Sequence, residues 1–322
     1  MKKVFKKAFT LLIMLLVVLS MTACSNNTPE PSNGDGEETG EKHYKIGLSA
    51  MNMADSFMKT VSDAVEEVVL AHGDEFVAVG AEADAAKQLS QIEDLVNQGI
   101  DALVLTPQDS SGILPALELC KERGIPVFNF DSACDDRSMI VTHVATDNVD
   151  CGRVLGEYLI NDLDVTEGKV ITIFIDAVES VRSRSKGFYE AIEDSNLELV
   201  EAIYNGEVQA QVEDLISANQ DAKVFYSTAT TIGSVAAAII EQYGLSDTMM
   251  LLTVDGAPND KEAIRDGAIQ AAAAQSPLSI GKQCAEYMYE YLEGKEVPAE
   301  YLIPSFVITK ENVEQYGYDG WQ

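Results

Sequence analysis

Two aspartates each follow an apolar run that has the composition of a buried strand. Asp131 follows Val-Phe-Asn-Phe at 127–130, and Asp255 follows Met-Met-Leu-Leu-Thr-Val at 249–254. A carboxylate has two acceptor oxygens and can hold two neighbouring hydroxyl groups at once. Because ligands of open parallel sheets bind beyond the carboxyl ends of the strands, we expect both acids to face one cleft. The pattern predicts a site for a small hydroxylated molecule.

The same acids admit other interpretations. Two carboxyl groups at a defined separation are also the machinery of a glycosidase. Asp255-Gly256 is a common turn pair, and Asp131 could cap a turn or a helix. The chain has no Gly-x-Ser-x-Gly, His-Glu-x-x-His or phosphate-loop motif, and no histidine base accompanies the acids. We therefore predict binding and no enzymatic activity, with a glycosidase as the remote alternative.

Short apolar runs alternate with amphipathic helical patterns from Tyr44 onward. Strands and helices that alternate in this way predict parallel sheets covered on both faces. One set precedes about residue 147 and a second follows it, so the predicted fold class is α/β with two doubly wound parallel-sheet lobes. The predicted strands cover residues 44–50, 75–81, 102–106, 126–130, 169–175, 199–204, 223–228, 249–255 and 268–274.

The first residues have the pattern of an export signal. Four lysines precede an apolar core at 11–19, and small and polar residues then lead to Cys24. Thr-Ala-Cys resembles a bacterial lipobox, so residues 1–23 are predicted to be a lipoprotein signal peptide and Cys24 the lipidated residue. A plain secretory signal with an incidental cysteine is the alternative. Residues 24–43 are rich in Pro, Gly, Ser and acids, which predicts a flexible tether.

The charge balance excludes some classes of partner. The formal net charge is −31, and removal of the four lysines in residues 1–23 makes it −35. Nucleic acid and anionic lipid surfaces are therefore poor partners. The cysteines at 120, 134, 151 and 284 lack metal-type spacing and the three histidines form no ligand set, so we predict neither metal nor cofactor. A bond between Cys134 and Cys151 is left open.

Several segments carry a family resemblance. They include QIEDLVNQGIDALVLTPQDSSG, RGIPVFNFDS, HVATDNVDCGRVLGEYL, SVRSRSKGFYEAI, LLTVDGAPND and AAAAQSP. The chain resembles the type I periplasmic sugar-binding proteins of ABC transporters from Tyr44 to about Val313, with ribose-binding proteins the most similar pattern. That family has two lobes joined by a three-strand hinge. The implied lobes are residues 44–146 with 276–304, and residues 147–275 with 305–322.

The resemblance also implies a set of ligand-binding residues. Asp131 and Asp255 match the family's two carboxylates, Arg182 its second-lobe arginine and Gln275 its hinge-side glutamine. Phe57 matches an aromatic residue that covers one face of the sugar ring. The next position holds Met58 in place of a second aromatic, and Ser132 stands where ribose binders have an arginine. The full implied set is Asp55, Phe57, Met58, Asp131, Ser132, Arg182, Thr228, Asp255 and Gln275.

This resemblance implies a function and a location. The chain is expected to be a monomeric extracytoplasmic receptor, anchored to the cell membrane through a lipid on Cys24. It would bind a neutral monosaccharide or polyol, such as a pentose, a hexose or an inositol, and deliver it to an ABC permease. A receptor that presents a sugar or an autoinducer sugar to a signalling partner is the alternative.

Overall fold

A computed structural model describes residues 43–322, which contain two six-stranded sheets. The strands of the first sheet are β1 Lys45–Ala50, β2 Glu75–Gly80, β3 Ala102–Leu105, β4 Val127–Phe130, β5 Thr142–Thr146 and β11 Glu300–Ile303. The strands of the second are β6 Glu167–Phe174, β7 Asn196–Ile203, β8 Val224–Tyr226, β9 Met250–Asp255, β10 Ala271–Ala274 and β12 Phe306–Thr309. We call the region around the first sheet lobe 1 and the region around the second lobe 2.

The helices occupy the segments between these strands. They are α1 Ser56–Ala71, α2 Ala85–Asn97, α3 Leu114–Arg123, α4 Asn148–Asn161, α5 Glu179–Ile192, α6 Val208–Ala218, α7 Thr230–Gln242, α8 Pro258–Asp266 and α9 Pro277–Leu292. Local sequence sets many of their ends. Asp55, Asp84 and Asp147 accept hydrogen bonds from the first free N–H groups of α1, α2 and α4. Gly124 ends α3 with a φ of +70°, in the left-handed conformation that glycine adopts without strain.

The sheet topology confirms the predicted fold class. The first sheet has the order β11-β5-β4-β3-β1-β2 with all neighbours parallel. The second has the order β12-β10-β9-β8-β6-β7, in which only β12 runs antiparallel to its neighbour. Buried apolar clusters cover both faces of each sheet. This is why the central strands are continuous apolar runs, as in other parallel sheets.

Three strands were not predicted. β5 has the sequence Thr-His-Val-Ala-Thr, which is fully buried but lacks an apolar run. β11 is an edge strand whose first three residues are exposed, and β12 pairs only with β10. The chain passes between the two sheets at residue 147, at 275–276 and at 304–305. The strands of each sheet lie on the same side of these crossings as the predicted lobe boundaries require. That the two lobes are separate domains that move relative to each other stays a prediction.

Some predictions lie outside the described residues. The signal peptide at 1–23, the lipidation of Cys24 and the tether up to residue 42 belong to this group. Within residues 43–322, no helix combines the length and the apolar character needed to cross a membrane. Over the same residues no group of three acidic, histidine or cysteine side chains has the arrangement of a metal site. The cysteines at 120, 134, 151 and 284 are buried free thiols.

Helices α4 and α5 cross with their backbones almost in contact. A Cβ atom placed on Gly187 would lie 1.9 Å from the carbonyl oxygen of Val149, and one on Gly152 would lie 1.9 Å from that of Arg184. Glycine at both positions is therefore a condition for this crossing. The crossing brings the first turn of α4, which begins with Asn148, against the middle of α5. It thereby fixes the position of Arg184, whose role is described below.

We expect Gly187→Ala to lower the free energy of unfolding by about 3 kcal/mol, because the new methyl group would overlap a backbone oxygen that cannot move independently. This loss exceeds the gain of up to about 1 kcal/mol from the higher helix propensity of alanine. Urea denaturation measures both effects. Lys186→Ala is the matched control, since Lys186 is exposed on the same helix and should change stability by less than about 0.5 kcal/mol. Equal stability of the two variants would contradict the close crossing.

Candidate ligand-binding site between the two lobes

The two predicted aspartates end strands of different lobes and share an unusual backbone conformation. Asp131 directly follows β4 of lobe 1 with a φ of +56°, and Asp255 is the last residue of β9 in lobe 2 with a φ of +103°. Residues other than glycine rarely adopt positive φ, and such strain is concentrated at functional sites. Asp131 is only 4% exposed. The structure therefore places a buried carboxylate from lobe 1 and a largely buried one from lobe 2, whose side chain is 13% exposed, at the boundary between the lobes.

An arginine lies between these two carboxylates. The guanidinium of Arg184 is 3.4 Å from Asp255 Oδ1 and 3.8 Å from Asp131 Oδ1, and its side chain is 5% exposed. The resemblance had pointed to Arg182 for this position. Two residues along a helix correspond to a rotation of about 200°. Arg184 therefore faces the two carboxylates, whereas Arg182 pairs with Asp135 at the rim of the cleft. Ligand binding by Arg182 stays a prediction, and the geometry makes Arg184 a further candidate.

Arg184 is held by three further groups of lobe 2. Its Nε donates to Asn148 Oδ1 at 2.8 Å, and its Nη1 donates to the carbonyl oxygen of Thr228 at 2.8 Å. The Tyr226 hydroxyl donates to the carbonyl oxygen of Arg184 at 3.1 Å, and the Tyr226 ring stacks on Phe188 with 3.9 Å between centroids. The guanidinium plane is therefore fixed before a ligand arrives. A fixed fork of N–H donors suits hydroxyl and ring oxygens.

Asp255 has a second set of partners within lobe 2. Gln275 Nε2 donates to Asp255 Oδ1 at 2.6 Å, and the Thr230 N–H donates to Asp255 Oδ2 at 2.9 Å. Gln275 directly follows β10, the parallel neighbour of β9, so two adjacent strand ends bring the pair together. Thr230 is the first residue of α7, and its N–H is one of the free donors of that helix.

Three buried oxygens of the predicted set make no hydrogen bond with any residue from 43 to 322. They are Asp131 Oδ1, Thr228 Oγ1 and Gln275 Oε1. A buried polar atom without a partner costs about 1–3 kcal/mol, and such atoms are uncommon in folded proteins. All three belong to residues at strand ends that converge on Arg184 and Asp255. They are suited to receive donors from a bound molecule.

Burial dominates the electrostatics of the cleft. It raises the pKa of the Asp131 carboxyl to about 6 against the opposing effect of Arg184, with smaller upward contributions from Asp255, Glu179 and Asp55. Burial and the nearby Asp255 also raise the pKa of Asp55. Three other acids thus raise the pKa of the Asp131 carboxyl, which lies beside a single buried arginine. An anionic ligand would add to this repulsion, whereas a neutral ligand with hydroxyl groups would not.

A cavity of 380 Å³ opens beside Asp255 and is bounded by both lobes. Lobe 1 contributes Asp55 and Phe57, and lobe 2 contributes Thr230 and Asp255. Its volume falls in the range of small-molecule sites. Asp55 Oδ1 also caps α1 by accepting from Phe57 N at 2.7 Å. Met58 packs in the apolar core of lobe 1 and is not among the residues that line this cavity.

The indole ring of Trp321 forms a further wall of the same cavity. Its ring meets that of Phe57 edge to face, with 5.4 Å between centroids and an interplanar angle of 79°. Sequence reasoning did not select Trp321, because the resemblance ends near Val313 and nothing local connects residue 321 with residue 57. That it is the only tryptophan of the chain is the one signal that could have drawn attention to it.

Other predicted residues lie where the two lobes touch at the rim of the cleft. Ser132 Oγ accepts from Ser180 N at 3.2 Å, and Ser110 N donates to the Ala177 carbonyl oxygen at 3.1 Å. Arg182 Nη2 donates to Asp135 Oδ1 at 2.8 Å. Each of these bonds joins lobe 1 to the start of α5 or the loop before it. Arg182 and Asp135 also line a separate cavity of 580 Å³ on this flank.

Comparison with known proteins agrees with this geometry. Residues 46–296 match a family model described as a periplasmic binding protein domain. The ribose import binding protein RbsB of Bacillus subtilis (strain 168) is 29% identical over 313 residues, which cover 95% of this chain and 100% of that protein. The fructose import binding protein FruE of Bifidobacterium longum (strain NCC 2705) is 24% identical, with 94% of each chain covered.

Solved structures show the same architecture. An ABC transporter solute binding protein from Mycobacterium smegmatis with bound glycerol has a TM-score of 0.81 and 26% identity, covering 87% of this chain and 99% of that chain. A solute binding protein from Bacillus halodurans C-125 with bound myo-inositol has a TM-score of 0.79 at 22% identity and covers 86% and 98% of the two chains. Because the family model matches most of the length of this chain, residues 46–296, the chain belongs to the periplasmic binding protein family.

Proposed function

We propose that this protein is the extracytoplasmic receptor of an ABC importer and binds a neutral monosaccharide or polyol between its lobes. The observation that carries the proposal is the buried group Asp131–Arg184–Asp255, which contains acceptors from both lobes around one fixed donor fork. Hydroxyl groups that donate to the carboxylates and accept from the arginine would join the two lobes. The names of the sugar-binding relatives support the same ligand class.

The proposed cycle uses the three chain crossings at residues 147, 275–276 and 304–305 as hinges. Domain closure around a ligand needs only a few residues to change their backbone angles. The rim contacts of Ser132 and Arg182 would form on closure, together with the ligand bridge. A lipid on Cys24 would keep the receptor at the membrane beside its permease, and the residues up to 43 would act as the tether.

A thermal-shift screen of the full-length chain in mild detergent tests the proposal. D-Ribose, D-allose, D-fructose, D-galactose, myo-inositol and glycerol are the probes, and D-ribose 5-phosphate is the anionic control. A ligand at about 100 times its Kd should add about 2.7 kcal/mol to the free energy of unfolding. We expect a rise with at least one neutral probe and none with the phosphate. Nucleosides are tested in the same screen, and a shift with them alone would exclude the carbohydrate ligand while leaving the fold unaffected.

A further inference from the structure

The last described residues come back to the cleft, although they lie beyond the matched family region at 46–296. β12 ends at Thr309, and the chain then reaches Trp321 at the cavity between the lobes. Trp321 packs against the apolar core cluster of lobe 1, while the segment that carries it follows a strand of lobe 2. A side chain carried by a segment of lobe 2 is thus in contact with lobe 1.

A buried lysine holds this segment in place. Lys261 of α8 is 0% exposed, and its ammonium donates to the carbonyl oxygens of Gly320 at 2.7 Å and Tyr316 at 3.3 Å. No acidic side chain from 43 to 322 forms an ion pair with Lys261. A buried ammonium is costly unless it is hydrogen-bonded, so segment 316–322 is coupled to the burial of Lys261.

The residue after Trp321 is bonded to the binding residues themselves. Gln322 Nε2 donates to the carbonyl oxygens of Gln275 at 2.6 Å and Asp255 at 3.2 Å. These are the backbone groups of two residues whose side chains surround the cleft centre. The position of the Trp321 ring is therefore set relative to Asp255 and Gln275 by the chain immediately beside it.

We propose that Trp321 is a specificity-determining wall of the ligand site, and that segment 316–322 is part of that site. This inference rests on the proposed function. Trp321 and Phe57 form an apolar corner of the 380 Å³ cavity, whose other lining includes the acceptors of Asp55 and Asp255. A cyclic sugar or inositol has apolar ring faces and polar edges, which such a corner and such acceptors would bind at the same time.

The arrangement also accounts for the methionine that follows Phe57. Met58 is 7% exposed in the core of lobe 1, so lobe 1 presents only one aromatic ring to this cavity. Trp321 supplies the second ring from the opposite lobe. Because each ring belongs to a different lobe, a ligand can contact both only when the lobes are together. No hydrogen bond within residues 43–322 engages the indole N–H.

Calorimetric titration of the full-length chain in mild detergent tests the inference, using the neutral probe with the largest thermal shift. We expect Trp321→Ala to weaken binding about tenfold or more, and Trp321→Phe, which keeps an aromatic face, to weaken it less. Lys261→Met, which removes the ammonium that holds the segment, should weaken binding although it touches no ligand. Tyr301→Ala removes an exposed ring on β11 and is the control, with an unchanged Kd expected.

The sole tryptophan provides a second readout. In the parent chain, saturation with the same probe should shift the tryptophan emission maximum and reduce quenching by acrylamide. The unliganded melting temperature of each variant separates loss of folding from loss of binding. Parent-like affinity in a folded Trp321→Ala variant would overturn this inference and leave the proposed function standing. Absence of binding by the parent to every neutral probe would overturn both.

Discussion

Replacing Arg184 with methionine is expected to abolish detectable sugar binding and to lower the free energy of unfolding by about 3–5 kcal/mol. Methionine fills a similar volume without the charge. The change would leave the Asp131 and Asp255 carboxylates buried near each other without their shared counter-charge. It would also free Asn148 Oδ1 and the Thr228 carbonyl oxygen, which accept from Arg184 in the parent.

Urea denaturation and calorimetric titration measure the two effects. Arg182→Met is the matched control, because Arg182 is two residues away, is 29% exposed and pairs with Asp135 at the rim. An exposed pair of this kind contributes about 0–1 kcal/mol, so the control should remain folded, and loss of this closure contact should raise the Kd by no more than about fivefold. The reverse result, with binding lost in Arg182→Met and kept in Arg184→Met, would favour Arg182, the residue to which the resemblance points, over Arg184.

Replacing Asp131 with asparagine is expected to stabilise the unliganded protein at pH 7 while weakening sugar binding by about tenfold to a hundredfold. Burial raises the pKa of Asp131 to about 6 in the folded protein, against about 3.9 for an unperturbed aspartate. Between about pH 3.9 and pH 6, the Asp131 carboxyl is therefore mostly protonated in the folded state and mostly ionised in the unfolded state. The free energy of unfolding therefore falls as the pH rises, by about 2 kcal/mol from this residue between pH 4 and pH 7.

Asparagine removes that contribution because it carries no charge at any of these pH values. The variant should exceed the parent in stability by about 1–3 kcal/mol at pH 7, with the difference declining to near zero at pH 4. Arg184 would keep Asp255, Asn148 and Thr228 as partners. Asparagine also tolerates the φ of +56° at this position. Binding is weakened because a neutral amide replaces the charged acceptor of hydroxyl groups.

Urea denaturation at pH 4, 5, 6 and 7 provides the comparison. Asp136→Asn is the control, since Asp136 is exposed and its side chain accepts from Ser138, which lowers its pKa. This control should show no gain in stability at pH 7. An Asp131→Asn variant with the same pH dependence as the parent would show that folding does not raise the pKa of Asp131.

Most of the fold could be predicted from the sequence, because the residues that end helices locally and the apolar runs that form buried strands indicate the same architecture. The helix stops at Gly99, Gly124 and Gly244 all have positive φ in the structure. The central strands are recognisable because they are buried on both faces and therefore apolar throughout. β11 was missed for the opposite reason: as an edge strand it is exposed over Glu300, Tyr301 and Leu302, so it lacks a hydrophobic pattern.

Fewer residues of the candidate site could be predicted from the sequence, because their positions depend on how distant elements pack together. Asp131 and Asp255 could be found because strand ends of parallel sheets converge. The choice between Arg182 and Arg184 depends on the rotation of α5 about its axis. The α4–α5 crossing at Gly152 and Gly187 sets that rotation, and it is invisible without both helices in place. Trp321 depends on a contact with Phe57 across 264 positions of sequence.

The position of β11 has a consequence for how the chain can fold. β11 completes the sheet of lobe 1, but it follows nearly all of lobe 2 in sequence. Neither sheet can therefore acquire its last strand until residues 300–309 are present. Pairing of β11 with β5 closes a loop of more than 150 residues. Non-local contacts of this kind slow folding. For a chain that we propose is exported, such a delay would keep it unfolded, and so able to cross the membrane, until its final residues have been made.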